Sequence, residues 1–598
     1  MESTTKCNIV LSIENHWRKN MLLEKINSPK DVKALSIHEL TELSSEIRTA
    51  LLTRLSEHGG HLGPNLGIVE TTVALHYVFN SPEDKIVYDV SHQSYTHKIL
   101  TGRKDAFMDS NKYNDVSGYT NPEESVHDFF TIGHTSTSIS LACGLAKGRD
   151  LNGGKENIIA MIGDGSLSGG EAYEGLNNAA EAGTNMIVIV NDNEMSIAEN
   201  HGGLYQNLSD LRKSEGKCQC NFFKALGFDY YFVKDGHDLN ELVTTLQKVK
   251  DTTKPVVVHI HTIKGKGFTP AELDKEKWHW GMPFELSTGA SKSNFTGENY
   301  ADLTAEYLLE RMKEDNKVVA ITSGTPGVFG FNKERREKAG KQFVDVGIAE
   351  EHAVALASGI SKNGGTPVYG VYSTFLQRTY DQISQDLCIN NNPMTFLVFA
   401  GSVYGMTDVT HLGLYDIAMI GNIPNLVYLS PTCKEEYFAM LKWSMEQKEH
   451  PVAIRVPARG VVTKGVADET DYSKLNQYQV TKTGRDVAII AAGELYEMGE
   501  QVAKLVNATL INPKFISGID ESLLEELKKD HKLVITLEDG IVEGGFGQKI
   551  ASFYGTSEMK VKNYGIKKSF PDRYVPEELL KENGISVEQI LADIRSFI

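Results

Sequence analysis

Short apolar runs rich in β-branched residues alternate with longer stretches of helical period along most of this chain. Between about residues 30 and 280 the runs are Lys85 to Val90, Asn157 to Ile162, Asn185 to Val190 and Pro255 to Ile260. Runs of this kind read as short buried strands, and their alternation with helices predicts a parallel sheet made of crossover units. The polar stretch STGASKSNFTGENY, residues 287 to 300, reads as a linker. Beyond it the pattern resumes with Val318 to Thr322, Thr366 to Tyr369, Met394 to Phe399 and Leu426 to Leu429, and again in VAIIAAG, ATLINPKF and KLVITLED. The expectation is an α/β protein of three successive open-sheet domains, over residues 1–295, 296–470 and 471–598. The last of these carries no cluster of catalytic residue types and is assigned to structure or assembly.

Length agrees with several domains, because 598 residues exceed what one core organises. With 61 basic and 79 acidic residues the net charge is -18, which repels nucleic-acid backbones and anionic lipid heads alike. No run approaches the roughly eighteen apolar residues of a membrane span. The cysteines, Cys7, Cys143, Cys218, Cys220, Cys388 and Cys433, form no paired framework, which suits a reducing compartment. Cys218 and Cys220 lack the second ligand pair of a metal site and read as an ordinary loop. The N-terminus has no basic start followed by an apolar run, so a cytoplasmic protein is expected.

Chemistry enters at IIAMIGDGSLSGGEAYEGLNNAAEAGTNMIVIVNDNEMS. One strand ends there at Gly163-Asp164-Gly165 and the next at Asn191-Asp192-Asn193, on the same sheet edge. Asp164 and Asn193 are one helix and one strand apart, so their side-chain oxygens can converge on a hard cation, magnesium or calcium, that bridges a diphosphate. Gly165 permits close backbone approach, and Gly169 with Gly170 lets the next helix start near the anion. Taken alone, the segment is equally a glycine-rich turn with surface acids.

The arrangement of GDG and a distant terminal Asn resembles the thiamine diphosphate signature of the transketolase group, which implies Asp164, Asn193 and the Met195 carbonyl as metal ligands. Such enzymes need a buried acid beside the aminopyrimidine. In FVDVGIAEEHAVALASGI, Glu350 opens a helix whose apolar face is Ala353, Val354 and Ala357. A Glu in a first turn ordinarily offsets the helix dipole. Here DVGI precedes it and Phe375, an aromatic suited to stack on the pyrimidine, follows, so Glu350 is the candidate acid.

Six segments in order, DVSHQSYTHKILTGR, IGHTSTSIS, NDNEMSI, HTIKGKGFTPAE, DVGIAEEHAV and YSTFLQRTYDQ, closely resemble the 1-deoxy-D-xylulose-5-phosphate synthase family. The resemblance implies a transketolase-type fold in a homodimer and a transferase that joins pyruvate to glyceraldehyde 3-phosphate with loss of carbon dioxide, feeding isoprenoid and thiamine biosynthesis. It places His92, Gly133, His134, Thr135, Gly165, Ser166, Asn193, Lys264, Phe268, Glu350 and Phe375 around thiamine diphosphate and magnesium. His61 and His279 become the proton-transfer histidines, and Tyr372, Arg378, His411 and Arg455 the acceptor pocket.

Departures from the family pattern gather at the acceptor. Ala400 stands where the resemblance implies an arginine, and Thr407 where it implies an aspartate, with Asp408 one place later. Ser91 replaces a glycine and Thr96 a proline near the cofactor loop, and the segment between NDNEMSI and ALGFDY is short. Three alternatives follow: the same pyruvate chemistry on an unphosphorylated aldehyde, ketol transfer in the transketolase manner, or a non-catalytic homologue that only binds the cofactor.

Overall fold

The structure, a computed structural model, describes residues 21–293 and 297–597. Cys7, the reading of the N-terminus and the centre of the linker therefore lie outside the described residues. Backbone contacts divide the chain into two compact units, Met1–Thr296 and Gly297–Ile598.

The first unit is built on strands β1 (Lys85–Tyr88), β2 (Ile158–Gly163), β3 (Met186–Asp192), β4 (Asp229–Val233) and β5 (Pro255–His261), in the spatial order β1-β2-β3-β5-β4. Every pairing is parallel. Successive residues of a strand point to opposite faces, and here both faces are covered. Ile159, Met161, Ile187 and Ile189 enter one core, while Ile158, Ala160, Val188 and Val190 enter the other. That is why these strands read as unbroken apolar runs. The long helix Ile37–His58 backs the first core; Ser36 and Glu39 close its N-terminus with a reciprocal capping box.

The second unit carries two sheets. Strands β6 (Val318–Thr322), β7 (Phe343–Asp345), β8 (Thr366–Tyr372), β9 (Thr395–Phe399), β10 (Val427–Leu429) and β11 (Val452–Arg455) form a parallel sheet ordered β10-β11-β9-β8-β6-β7. Strands β12 (Gln479–Lys482), β13 (Asp486–Ala491), β14 (Thr509–Asn512), β15 (His531–Ile541) and β16 (Lys560–Ile566) form the other, ordered β12-β14-β13-β15-β16 with β12 antiparallel. One core cluster runs through both sheets, joining Ile321, Tyr369 and Val398 to Ile490, Ile511 and Val534. The boundary read at 470/471 thus falls inside a unit with a shared core.

The described cysteines are all free thiols. Among the described residues no helix is long and apolar enough to cross a membrane, and no three His, Cys, Asp or Glu side chains are grouped to hold a metal.

Candidate active site

At the carboxyl edge of the first sheet, the in-register pair Gly163 and Asn191 brings the ends of β2 and β3 side by side. The Asp164 amide donates to the Asn191 carbonyl at 3.0 Å. Asp164 is buried, and that burial, with Asp192 nearby, holds its carboxyl above the usual range. One of its oxygens accepts from the neutral Asn200 amide at 2.7 Å. Asp192, in contrast, is ion-paired to Arg212 and hydrogen-bonded to His259 Nε2. Asn193 Oδ1 and Ser196 Oγ are buried with no hydrogen-bond partner among the described residues.

An orphan buried oxygen costs about 1–3 kcal/mol, so a native fold that leaves one beside a buried carboxyl marks a place for a partner. The donor set suits a hard divalent cation. Met195 sits in the same turn, which Glu194 opens with a φ of 66° and the Met195–Glu199 bridge closes. A Cβ on Gly165 would lie 2.8 Å from Ser196 Oγ, so only glycine fits against this turn. Lys264 donates to the Ser196 carbonyl at 2.6 Å, and burial lowers its pKa to about 7.

Gly133, His134 and Thr135 lie on a loop anchored beside the same turn. Buried Asp89 accepts from the Ser136 and Ser138 amides at 2.8 and 3.0 Å, and Ser136 Oγ donates to the Ser166 carbonyl at 2.8 Å. Ser91 adopts a φ of 65°, a backbone that favours glycine, and its hydroxyl bonds the Ile132 carbonyl at 2.6 Å.

Three histidines meet in the first unit. Ring centroids of His61 and His92 are 4.9 Å apart, those of His92 and His279 5.2 Å, and those of His61 and His279 5.7 Å. Paired backbone bonds between Gly60 and Gly281, at 2.8 and 3.0 Å, bring His61 and His279 together. Asn65 then clamps the group: its amide donates to the His61 and His92 carbonyls at 2.6 and 2.7 Å, and its oxygen accepts from the Tyr95 amide at 3.0 Å. Burial lowers the His279 pKa strongly, and His279 Nδ1 has no hydrogen-bond partner among the described residues. Phe268 is mostly core, with its ring 5.1 Å from Trp278 and 5.5 Å from Phe284.

In the second unit, Glu350 is the first residue of the helix Glu350–Lys362 and is 2 % exposed. Ala353, Val354 and Ala357 are fully buried behind it. Burial pushes its carboxyl up to about 7, and its Oε2 makes no hydrogen bond among the described residues. The nearest cation is Arg378, at 3.8 Å. Phe375 links this corner to Tyr372 and His411, with ring separations of 5.8 and 5.6 Å.

Arg455 is placed differently from a solvent-facing phosphate anchor. It is buried, its Nε bonds Asp416 at 2.8 Å, and its Nη1 pairs with Asp539. Ala400 adopts a φ of 52° and has no polar side chain to offer. Asp408 turns into its own loop, accepting from the Thr410 amide and hydroxyl at 2.9 and 2.6 Å.

Residues 23–220 and 215–262 match the family model described as 1-deoxy-D-xylulose-5-phosphate synthase. Residues 298–462 match the transketolase pyrimidine-binding domain and 476–590 the transketolase C-terminal domain. The curated 1-deoxy-D-xylulose-5-phosphate synthase of Caldanaerobacter subterraneus is 39% identical over 95% of this chain and 98% of its own. That of Halothermothrix orenii is 38% identical over 93% of each, and that of Clostridium beijerinckii 38% over 93% of this chain and 96% of its own. The chain belongs to the 1-deoxy-D-xylulose-5-phosphate synthase family. As a member of this family it is a transferase-type, transketolase-like enzyme of the α/β class. The two pieces of the first match break at 215–220, within the segment read as shortened relative to the family. A solved transketolase from Campylobacter jejuni aligns over 94% of this chain and all of its own at 16% identity and a TM-score of 0.43.

Asn65, Asp89 and Asn200 were not singled out by sequence reasoning. Asn65 lies in GHLGPNLG, four residues after His61, which is the only local signal for it. Asp89 and Asn200 act on loops 47 and 36 residues away in sequence, so no pattern of spacing reveals them.

Proposed function

We propose that this protein uses thiamine diphosphate and magnesium to join pyruvate to an aldehyde with loss of carbon dioxide, glyceraldehyde 3-phosphate giving 1-deoxy-D-xylulose 5-phosphate. The observation that carries the reading is Glu350: a carboxyl buried at a helix start, raised to about 7, with one oxygen left without a hydrogen bond. Such an acid suits proton exchange near neutral pH, and a protein that only bound the cofactor would have no need of it.

The residues present fit the cofactor. Asp164, Asn193 and the Met195 carbonyl would hold magnesium, Gly165 would let the backbone approach the diphosphate, and Lys264 would offset its charge. Glu350 would bond the aminopyrimidine, with Phe375 against the ring face. When bound, thiamine diphosphate supplies a nucleophilic carbon and a sink for the electrons released on decarboxylation. His61, His92 and His279 are clustered to hold or move protons. Burial keeps the His279 ring neutral, a form that can give and accept hydrogen bonds while resisting full protonation. The homodimer and the cytoplasmic setting implied by the resemblance belong to the same proposal.

A second reading keeps the pyruvate chemistry and changes the acceptor to an unphosphorylated aldehyde. It is favoured by Arg455, whose guanidinium is engaged by Asp416 and Asp539, and by the apolar Ala400. Purified protein supplied with both cofactors and carboxyl-labelled pyruvate tests both readings. Labelled carbon dioxide is expected, and mass detection of products across phosphorylated and plain aldehydes separates the acceptors. No labelled gas with any aldehyde would sink the donor assignment.

A further inference from the structure

The loop from Ala400 to Tyr415 carries His411 and leaves the second sheet after β9. Within it, the Thr410 hydroxyl donates to Asp408 at 2.6 Å and lies 2.8 Å from His411 Nδ1. Because the hydroxyl proton is given to Asp408, His411 Nδ1 must carry its own proton toward Thr410, which leaves Nε2 as an acceptor. Burial lowers the His411 pKa to about 4, so the ring holds this neutral form at neutral pH. The ring is 5.6 Å from Phe375, and in the same unit Arg378 lies 3.8 Å from Glu350.

What fixes the relay lies in the C-terminal domain, between β16 and the helix Pro576–Glu582. The Arg573 amide donates to the Thr407 carbonyl at 2.7 Å, and the Val409 amide donates to Asp572 Oδ1 at 3.1 Å. These two bonds bracket Asp408. The other Asp572 oxygen accepts from Arg573 Nε at 2.9 Å, which holds the carboxylate in place. Farther along, Tyr415 Oη donates to the Ser569 carbonyl at 2.8 Å, and the Ile541 amide to the Leu414 carbonyl at 2.9 Å. The domain that sequence assigned to structure or assembly thus grips the loop at both ends of its histidine-bearing stretch.

We propose that Asp572 is a positioning residue, which sets the Asp408–Thr410–His411 relay and through it the binding of the acceptor aldehyde. The acceptor part rests on the proposed function; the mechanical part does not. In the full-length protein, Asp572→Ala should speed amide exchange over residues 405–412 by about fivefold to tenfold, the worth of one hydrogen bond, with exchange around Asp164 unchanged. With both cofactors present, KM for the aldehyde should rise about threefold to tenfold while KM for pyruvate stays put, since one lost loop bond weakens one substrate only. Asp572→Asn keeps an acceptor oxygen and should fall between. In a His411→Ala background, adding Asp572→Ala should raise the aldehyde KM no further, because the two changes act through one element.

Unchanged exchange in Asp572→Ala would overturn the brace. Equal rises in both KM values, or additive effects in the double variant, would overturn the positioning role and leave Asp572 a general stabiliser. Should the wild type consume no aldehyde in the presence of pyruvate, the proposed reaction fails and the acceptor role with it, while the exchange measurement still decides the brace.

Discussion

The first and third sheets share one architecture, parallel strands with helices on both faces apart from the antiparallel edge strand β12, yet their carboxyl edges are finished in opposite ways. At the end of β15, Glu538 accepts from the Phe546 and Gly547 amides at 2.9 and 2.8 Å, so the N-terminus of the helix Phe546–Tyr554 is already filled by the protein's own carboxylate. Asp539 beside it is bonded to Ser402 and paired with Arg455. Glu494 Oε2 has no hydrogen-bond partner among the described residues, and burial beside Asp539 raises its pKa. At the ends of β2 and β3, Asn193 Oδ1 and Ser196 Oγ have no hydrogen-bond partner among the described residues, beside the Asp164 carboxyl, which accepts from the neutral Asn200 amide. The fold is common to both edges, and the difference lies in which polar groups have been given internal partners.

The sharpest way to break this contrast is at Glu350. Replacing it by Gln should cut turnover by two to four orders of magnitude, the usual worth of a positioned acid, without loss of stability, and a steady-state assay with a melting curve reads both. At the wired edge the loss should be one of stability. Arg455→Met strands Asp416 and Asp539 in the interior and should cost about 3–5 kcal/mol, seen as a lower urea midpoint. If unfolding is unchanged and only the aldehyde KM rises, Arg455 serves substrate after all.

A third test uses pH. Glu350 sits at about 7 in the folded protein against an ordinary value of 4.5, so the folded state holds its proton more tightly. Its contribution to stability is complete below pH 4.5 and is lost as pH rises through about 7, roughly 3 kcal/mol in all. Glu350→Gln should therefore gain on the wild type in melting temperature between pH 5 and 8; parallel curves would contradict the buried acid. Smallest is the ligand effect: magnesium with thiamine diphosphate at a hundredfold over Kd should stabilise the wild type by about 2.7 kcal/mol. Asp164→Asn should abolish that gain while leaving the ligand-free protein at least as stable.

How much of this was legible in the sequence depended on burial. Strands covered on both faces, such as β3 and β5, announced themselves as apolar runs and were placed to within two residues. Strand β4, DYYFV, alternates exposed with half-buried positions, and β12, QVTK, is an exposed edge, so neither gives such a run. Asp164, Asn193 and Glu350 were singled out because each sits where a strand ends or a helix begins. Asn65 could not be, because its role is to join the backbone of His61 to that of His92 across a fold the sequence does not display. Arg455, a position matched by motif, has its charge turned inward toward Asp416 and Asp539, an arrangement the sequence does not display.

The Gly60–Gly281 bridge has a consequence for how the first unit comes to be made. It ties a stretch near the start of the unit to one near its end, after all five strands have been laid down. A fragment stopping just past β5 would hold every strand of that sheet and still present an incomplete histidine triad, His279 not having been synthesised. Assembly of the three histidines therefore follows the last strand of the sheet, completed only when the returning segment docks.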